Sequence, residues 1–246
     1  MKISVQDLAV GYDGIPVQKD LTFDVETGEV FLILGGSGCG KSTLLRHLTG
    51  LEWPIAGSID IEGVGAPTSA VGRPAFGVLF QSGALFGSMT LAQNVSLPLR
   101  SWTDLDEESI ETIVRWKLRL VGLDGFENHL PAELSGGMRK RAGIARALAL
   151  ETDLLFLDEP SAGLDPVSSV ELDNLLLALN ESLGVTIVIV THELQSIFKI
   201  GQTCIMLDKE ERSIIARGDP RELRDNPPND KVRSFFNRLP SGGGTA

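Results

Sequence analysis

Two kinds of hydrophobic patterning divide the chain. In residues 1–28 apolar positions recur every second residue in short stretches, at Ile3 and Val5, at Leu8 and Val10, and, across a turn at Gly14, at Leu21, Phe23 and Val25. A period of two predicts antiparallel strands with one buried face. Glu29-Val30-Phe31-Leu32-Ile33-Leu34, Leu154-Leu155-Phe156-Leu157 and Val185-Thr186-Ile187-Val188-Ile189-Val190 are instead nearly continuous apolar runs. Such runs suit parallel strands buried on both faces beneath helices. Shorter strands are expected at 57–61 and 76–81, and a hairpin from 204–207 and 213–216. Ile110, Ile113, Val114, Leu118 and Val121 keep a helical rhythm, and further helices are expected after residue 43, from Ser135 to Ala149, and over about 167–183. Residues 82–100 read as loop-rich, and 219–238 as one or two short helices interrupted by Pro227-Pro228. The expected architecture is α/β, with an N-terminal antiparallel β part, a mostly parallel core sheet and helical material inserted over about 82–150.

The run at 29–34 leads into Gly35-Gly36-Ser37-Gly38-Cys39-Gly40-Lys41-Ser42-Thr43. This fits G-x-x-x-x-G-K-[ST], the P-loop pattern. Glycines let the backbone curl so that successive amides point at phosphate oxygens, and a helix N-terminus adds partial positive charge. Lys41 can then reach the β- and γ-phosphates, and the Ser42 hydroxyl can ligate Mg²⁺. The apolar face of Leu44, Leu45 and Leu48 makes strand–loop–helix the expected context, which an accidental Gly/Ser turn does not require. Cys39 sits at the same helix N-terminus beside Lys41, an environment expected to lower a thiol pKa and make it reactive.

Charge and composition narrow the partners. The chain has 246 residues, with 33 acidic against 22 basic side chains and a net charge of −11. This disfavours nucleic acid or an anionic membrane as a direct partner. No apolar run approaches the ~18 residues of a membrane span, and nothing like a signal peptide precedes the first strand. The two cysteines, Cys39 and Cys204, suit reduced thiols in the cytosol. Any work at a membrane is therefore expected to pass through a partner.

Other residues are ambiguous when taken singly. Tyr12, the only tyrosine, is equally a rim aromatic or a surface for stacking a purine. Gln81 is a strand-end polar residue or a group facing Mg²⁺ or water. Ser135 in Leu134-Ser135-Gly136-Gly137 is a plain helix cap or part of a second anion site. Arg139, Lys140, Arg141 and Arg146 read as solvated or locally paired. Asp158 and Glu159 follow an apolar run and precede Pro160, which argues against simple surface placement and puts them where open α/β sheets bind ligands. His192 ends a buried strand and is structural or a phosphate contact.

In their fixed order these segments resemble the ATPase subunit of an ATP-binding-cassette (ABC) transporter, over residues 1 to about 220. The resemblance implies a single cassette over 1–238, ATP with Mg²⁺, and ATP hydrolysis; the Gly- and Ser-rich composition of 239–246 leads us to expect a disordered tail there. Tyr12 would stack on adenine. Residues 35–43 would hold the phosphates. Ser42, Gln81 and Asp158 would serve the metal. Glu159 would polarise water, with Gln81 and His192 at the γ-phosphate. Ser135, Gly136 and Gly137 would contact ATP bound to a second copy in a head-to-tail dimer. Met138 departs from the Gln found in many importer ATPases, which leaves the cradle intact but changes its packing. Leu79-Phe80-Gln81-Ser82-Gly83-Ala84-Leu85-Phe86 and Asn94-Val95-Ser96-Leu97-Pro98-Leu99 further resemble ATPases of MCE-type lipid transporters such as the Mla phospholipid system. That implies a permease docked on about 82–100, an MCE-domain protein in the complex, and a peripheral position on the cytoplasmic face of the inner membrane. Competing readings are a cassette serving another small molecule, a non-transport ABC ATPase acting on DNA or ribosomes, and a P-loop kinase or GTPase. The Leu-Ser-Gly-Gly segment opposes the kinase or GTPase, and the single cassette and acidic charge oppose the non-transport ATPase.

Overall fold

The computed structural model describes residues 1–67 and 72–238; the expected disordered tail at 239–246 lies outside the described residues. The strands are β1 (Ile3–Tyr12), β2 (Ile15–Val25), β3 (Val30–Gly35), β4 (Ala56–Ile61), β5 (Gly77–Leu79), β6 (Leu154–Asp158), β7 (Thr186–Val190), β8 (Thr203–Leu207) and β9 (Ile214–Gly218). The helices are α1 (Lys41–Leu48), α2 (Leu91–Trp102), α3 (Glu107–Leu120), α4 (Gly136–Ala147), α5 (Pro166–Leu183), α6 (Leu194–Ile200), α7 (Pro220–Asp225) and α8 (Asp230–Phe236). The described residues form two compact units, 1–67 with 188–238, and 72–187. Among the described residues no helix is long and apolar enough to cross a membrane.

In the first unit the period-two stretch closes as expected. β1 pairs antiparallel with β2, setting Val5 opposite Phe23, and with β4 on its other edge. Ile3, Val5, Leu8, Leu21 and Phe23 face inward and are buried. Phe23 stacks on Phe31 of β3 with ring centroids 5.5 Å apart, so the antiparallel sheet packs against the strand that leads to the P-loop. β3 is buried along its whole length and runs parallel to β8, with Leu32 opposite Cys204. β9 returns antiparallel to β8. The end of β7 lies beside β3, where the Thr191 amide donates to the Ile33 carbonyl at 3.4 Å.

In the second unit β5 runs parallel to β6 with Val78 opposite Phe156, and Phe76 meets the Phe156 ring edge-on at 5.2 Å. Helices α2, α3, α4 and α5 belong to this unit. The loop-rich reading of 82–100 holds for 82–90 and is corrected by α2 over the rest. Thr90 and Gln93 form a reciprocal capping box: Thr90 Oγ1 accepts from the Gln93 amide at 3.2 Å, and Gln93 Oε1 accepts from the Thr90 amide at 2.9 Å. Such a box starts a helix by satisfying amides that otherwise have no partner. Pro98 inside α2 misled the reading, since an internal proline removes one helical donor. α6 has no side-chain cap, and the sequence reading did not foresee it.

Candidate functional site

The P-loop is built on the first unit. β3 ends at Gly35 and α1 begins at Lys41, with Gly40 as N-cap at φ +99° and no side chain capping the helix. That φ favours glycine, and a Cβ there would also come within 2.8 Å of Val17 Cγ1; the position admits no side chain without strain. Lys41 is buried and donates from Nζ to the Gly35 carbonyl at 2.9 Å and to that of Gly36 at 3.0 Å. Its ammonium therefore lies against the loop itself. From behind, Gln18 on β2 donates from Nε2 to the Cys39 carbonyl at 2.6 Å and the Asp208 carbonyl at 2.8 Å. Both partners are acceptors, which fixes the orientation of the amide. Gln18 is 0% exposed, and its Oε1 has no hydrogen-bond partner among the described residues. The sequence reading missed Gln18; a polar residue at an inward-facing strand position was the available signal. Tyr12, 45% exposed, stands at the end of β1, and exposed His192 follows β7. Gly36, Ser37 and Cys39 line a cavity of about 890 Å³ together with Asp208, Lys231 and Arg238.

Cys39 does not match the expectation of an activated thiol. It is buried, and burial pushes its pKa above the ordinary value despite the opposing Lys41 ammonium. The Lys41 charge does favour the thiolate, but desolvation of the buried sulfur outweighs it. Maleimide at neutral pH should therefore modify native Cys39 at least ~10-fold more slowly than the unfolded chain. Equal rates, measured by mass spectrometry of the labelled peptide, would sink this expectation.

The remaining predicted residues lie in the second unit. β6 delivers half-buried Asp158 and then Glu159, 8% exposed, with φ +46°. A left-handed conformation is disfavoured for a residue bearing a Cβ. The Glu159 carbonyl accepts from the Ala162 amide at 3.1 Å, which closes the turn through Pro160. It also accepts from Lys140 Nζ at 3.3 Å, and the same ammonium donates to the Gln81 carbonyl. Lys140 is 5% exposed and bonded to main-chain carbonyls, so of the two readings, solvated or locally paired, the solvated one does not hold. Burial pulls its pKa down, while Asp158 and Glu159 oppose that shift. Arg139 donates to the Leu134 carbonyl, and Arg146 to that of Ala84 at 2.7 Å. These cations of α4 thus bond locally to main-chain oxygen, and the side chain of Gln81 is exposed.

Ser135 caps α4, its Oγ accepting from the Met138 amide at 3.2 Å. A Cβ on Gly137 would come within 3.2 Å of Ser168 Cβ, so this glycine lets α4 approach the start of α5. That start is capped by Asp165, whose carboxylate accepts from the Val167 and Ser168 amides at 3.0 Å each and from Ser168 Oγ at 2.6 Å. The bonds from Ser168, with the Val167 amide adding to them, hold its pKa below the usual carboxylate value. Lys140 thus joins the main chain at Gln81 to that at Glu159, whereas Tyr12, the P-loop and His192 belong to the other unit. Among the described residues no group of three or more His, Cys, Asp or Glu side chains forms a metal cage.

Comparison with known proteins gives this arrangement its family. Residues 18–162 match the family model described as ABC transporter. The chain is 42% identical over 240 residues to the probable ribonucleotide transport ATP-binding protein mkl of Mycobacterium leprae, covering 96% of this chain and 68% of that protein. It is 39% identical over 246 residues to the intermembrane phospholipid transport system ATP-binding protein MlaF of Escherichia coli K12, covering 98% of this chain and 90% of MlaF. Among solved structures, a dimeric post-hydrolysis state of the ATP-binding cassette MJ0796 bound to ADP and Pi superposes with a TM-score of 0.77 at 28% identity, covering 88% of this chain and 98% of that one. A P-loop strand–loop–helix, a capped Leu-Ser-Gly-Gly helix and a strand ending in Asp158-Glu159, with these relatives, place the chain in the ABC transporter family, as an ATP-binding subunit that hydrolyses ATP.

Proposed function

We propose that this subunit powers phospholipid transport through a membrane permease, as a peripheral protein on the cytoplasmic face of the inner membrane, in a complex that includes an MCE-domain protein. Two copies bind ATP head-to-tail, each P-loop facing Ser135, Gly136 and Gly137 of the other. The loop suits a polyphosphate: Gly40 keeps side chains out of it, no side chain caps α1, and Lys41 places a cation against it. Ser42, Gln81 and Asp158 would hold Mg²⁺, which usually binds through one or two carboxylates plus substrate phosphates. When bound, the ion neutralises charge on the phosphates. Tyr12 stacks on the base, His192 meets the γ-phosphate, and buried Glu159 orients the attacking water.

The observation that supports a permease on 82–100 is Phe86, 55% exposed on a loop that is held firmly. Buried Asn94 accepts from the Phe86 amide at 2.8 Å and donates to the carbonyls of Phe86, Met89 and Thr90 at 3.1, 3.1 and 3.0 Å. A pinned loop presenting an aromatic to solvent suits a docking contact. Phospholipid is favoured as cargo because the Mla relative aligns along 90% of its own length. The second reading, ribonucleotide transport, rests on the name of the mycobacterial relative.

The test is purification of the membrane complex, with mass spectrometry of its proteins and bound small molecules. Wild type should bring down a permease and phospholipid. Leu85→Asp with Phe86→Asp should lose the permease by at least ~10-fold, as expected when a buried apolar anchor is removed from an interface, while ATP affinity holds. Bound nucleotide cargo without phospholipid would move the assignment to the second reading. A collapsed melting temperature in the double variant would return these residues to the core.

A further inference from the structure

We propose that Lys140 is a positioning residue for hydrolysis: its buried ammonium bridges the main chain at Gln81 to the main chain at Glu159 and so fixes where the Glu159 carboxylate points. The inference rests on the assignment of Glu159 as the water-orienting carboxylate. Three observations carry it. Lys140 is 5% exposed, and its ammonium donates to two carbonyl oxygens, those of Gln81 and Glu159. A lysine is rarely this buried unless its ammonium is bonded. Glu159 occupies a left-handed conformation at φ +46°, which persists only where surrounding contacts hold it. Its carbonyl has two donors, the Ala162 amide within the turn and Lys140 from α4. The turn alone closes residues 159–162; the bond from Lys140 anchors that turn to a separate helix.

The bridge also joins two sections of chain with different duties. Gln81 opens the segment that runs to Phe86 and α2, the proposed permease side. Glu159 stands at the end of β6. One ammonium therefore ties the start of the docking segment to the catalytic turn. A shift at Gln81 is passed to Glu159 through a single side chain, and the groups that face the ammonium are Asp158 and Glu159.

The experiment uses the full chain with MgATP, comparing Lys140→Met and Lys140→Gln with wild type and with Glu159→Gln. Methionine keeps a long unbranched shape without donors, while glutamine keeps two N–H donors without the charge. Lys140→Met should lower kcat about 10- to 100-fold, the scale of a small misplacement of a catalytic group, with the Kd for ATP unchanged. Amide exchange at Ala162 should quicken in the same variant. Lys140→Gln should recover kcat to within about threefold of wild type, since it restores donors to both carbonyls. Wild-type kcat in Lys140→Met overturns the proposal, as does Lys140→Gln falling as far as methionine, which would leave charge or packing as the role. If Lys140→Met does not fold, Lys140→Gln carries the test alone: a tenfold or larger fall in kcat with ATP binding intact overturns it. Wild-type hydrolysis in Glu159→Gln would instead remove the reading on which the inference stands.

Discussion

Glu159→Gln is expected to lower ATP hydrolysis by about 10² to 10⁴, the usual worth of a general base or water-positioning group, while leaving ATP bound. The substitution keeps size and shape and removes only the charge that polarises water. Burying a neutral amide costs less than burying a carboxylate, so the fold should persist. Asp158 would still serve the metal, and Lys41 with the loop amides would still hold the phosphates. With chemistry stalled, two ATP molecules should stay sandwiched between the P-loop of one copy and Ser135-Gly136-Gly137 of the other. The variant should therefore accumulate as an ATP-bound dimer. Size-exclusion chromatography with MgATP, run beside a phosphate-release assay, reads both effects. Adding Ser135→Arg should abolish the trapped dimer by filling the facing phosphate site. Hydrolysis at the wild-type rate would show that Glu159 is not the catalytic carboxylate.

Lys41→Ala acts one step earlier, on binding. Lys41 is the cation placed against the loop, bonded to the Gly35 and Gly36 carbonyls. Hydrogen bonds between a cation and phosphate are roughly twice as strong as neutral ones, and those to charged groups contribute about 1.5–3 kcal/mol. One such contact corresponds to about 10- to 150-fold in affinity at 1.4 kcal/mol per factor of ten. Equilibrium titration with a fluorescent ATP analogue should show at least that loss, with the melting temperature little changed. Unchanged affinity would remove the P-loop from the mechanism. The two variants separate cleanly, since one loses binding and the other loses chemistry after binding.

Much of this was legible before any coordinates. Strands β1, β2, β3, β6 and β7 follow from apolar periodicity, because a side chain on a strand must face one side or the other. The P-loop is legible for a related reason: its geometry is set locally, by glycines and by a helix start within the same nine residues. Ser135 as a cap is also local, one hydroxyl meeting an amide three residues on. The start of α2 is local too, since the Thr90–Gln93 box closes within three residues, but that spacing went unread in a stretch that also holds Pro98.

What the sequence determined by itself is therefore the set of strands and the phosphate loop, both marked by patterns that close within a few positions, while the roles of the other candidate residues came from their order along the chain and the resemblance it carries. Only the tertiary structure decided which polar groups leave water. From their neighbours in the chain Lys140 reads as solvated or locally paired, with no partner named, and Cys39 as a reactive thiol. Lys140 lies against carbonyls 59 and 19 residues away, and burial sets the thiol of Cys39. Gln18 supports the P-loop from 21 residues upstream and reaches Asp208, 190 residues further on. No local pattern marks such contacts, because desolvation and long-range hydrogen bonds depend on what the fold packs around a group rather than on its sequence neighbours.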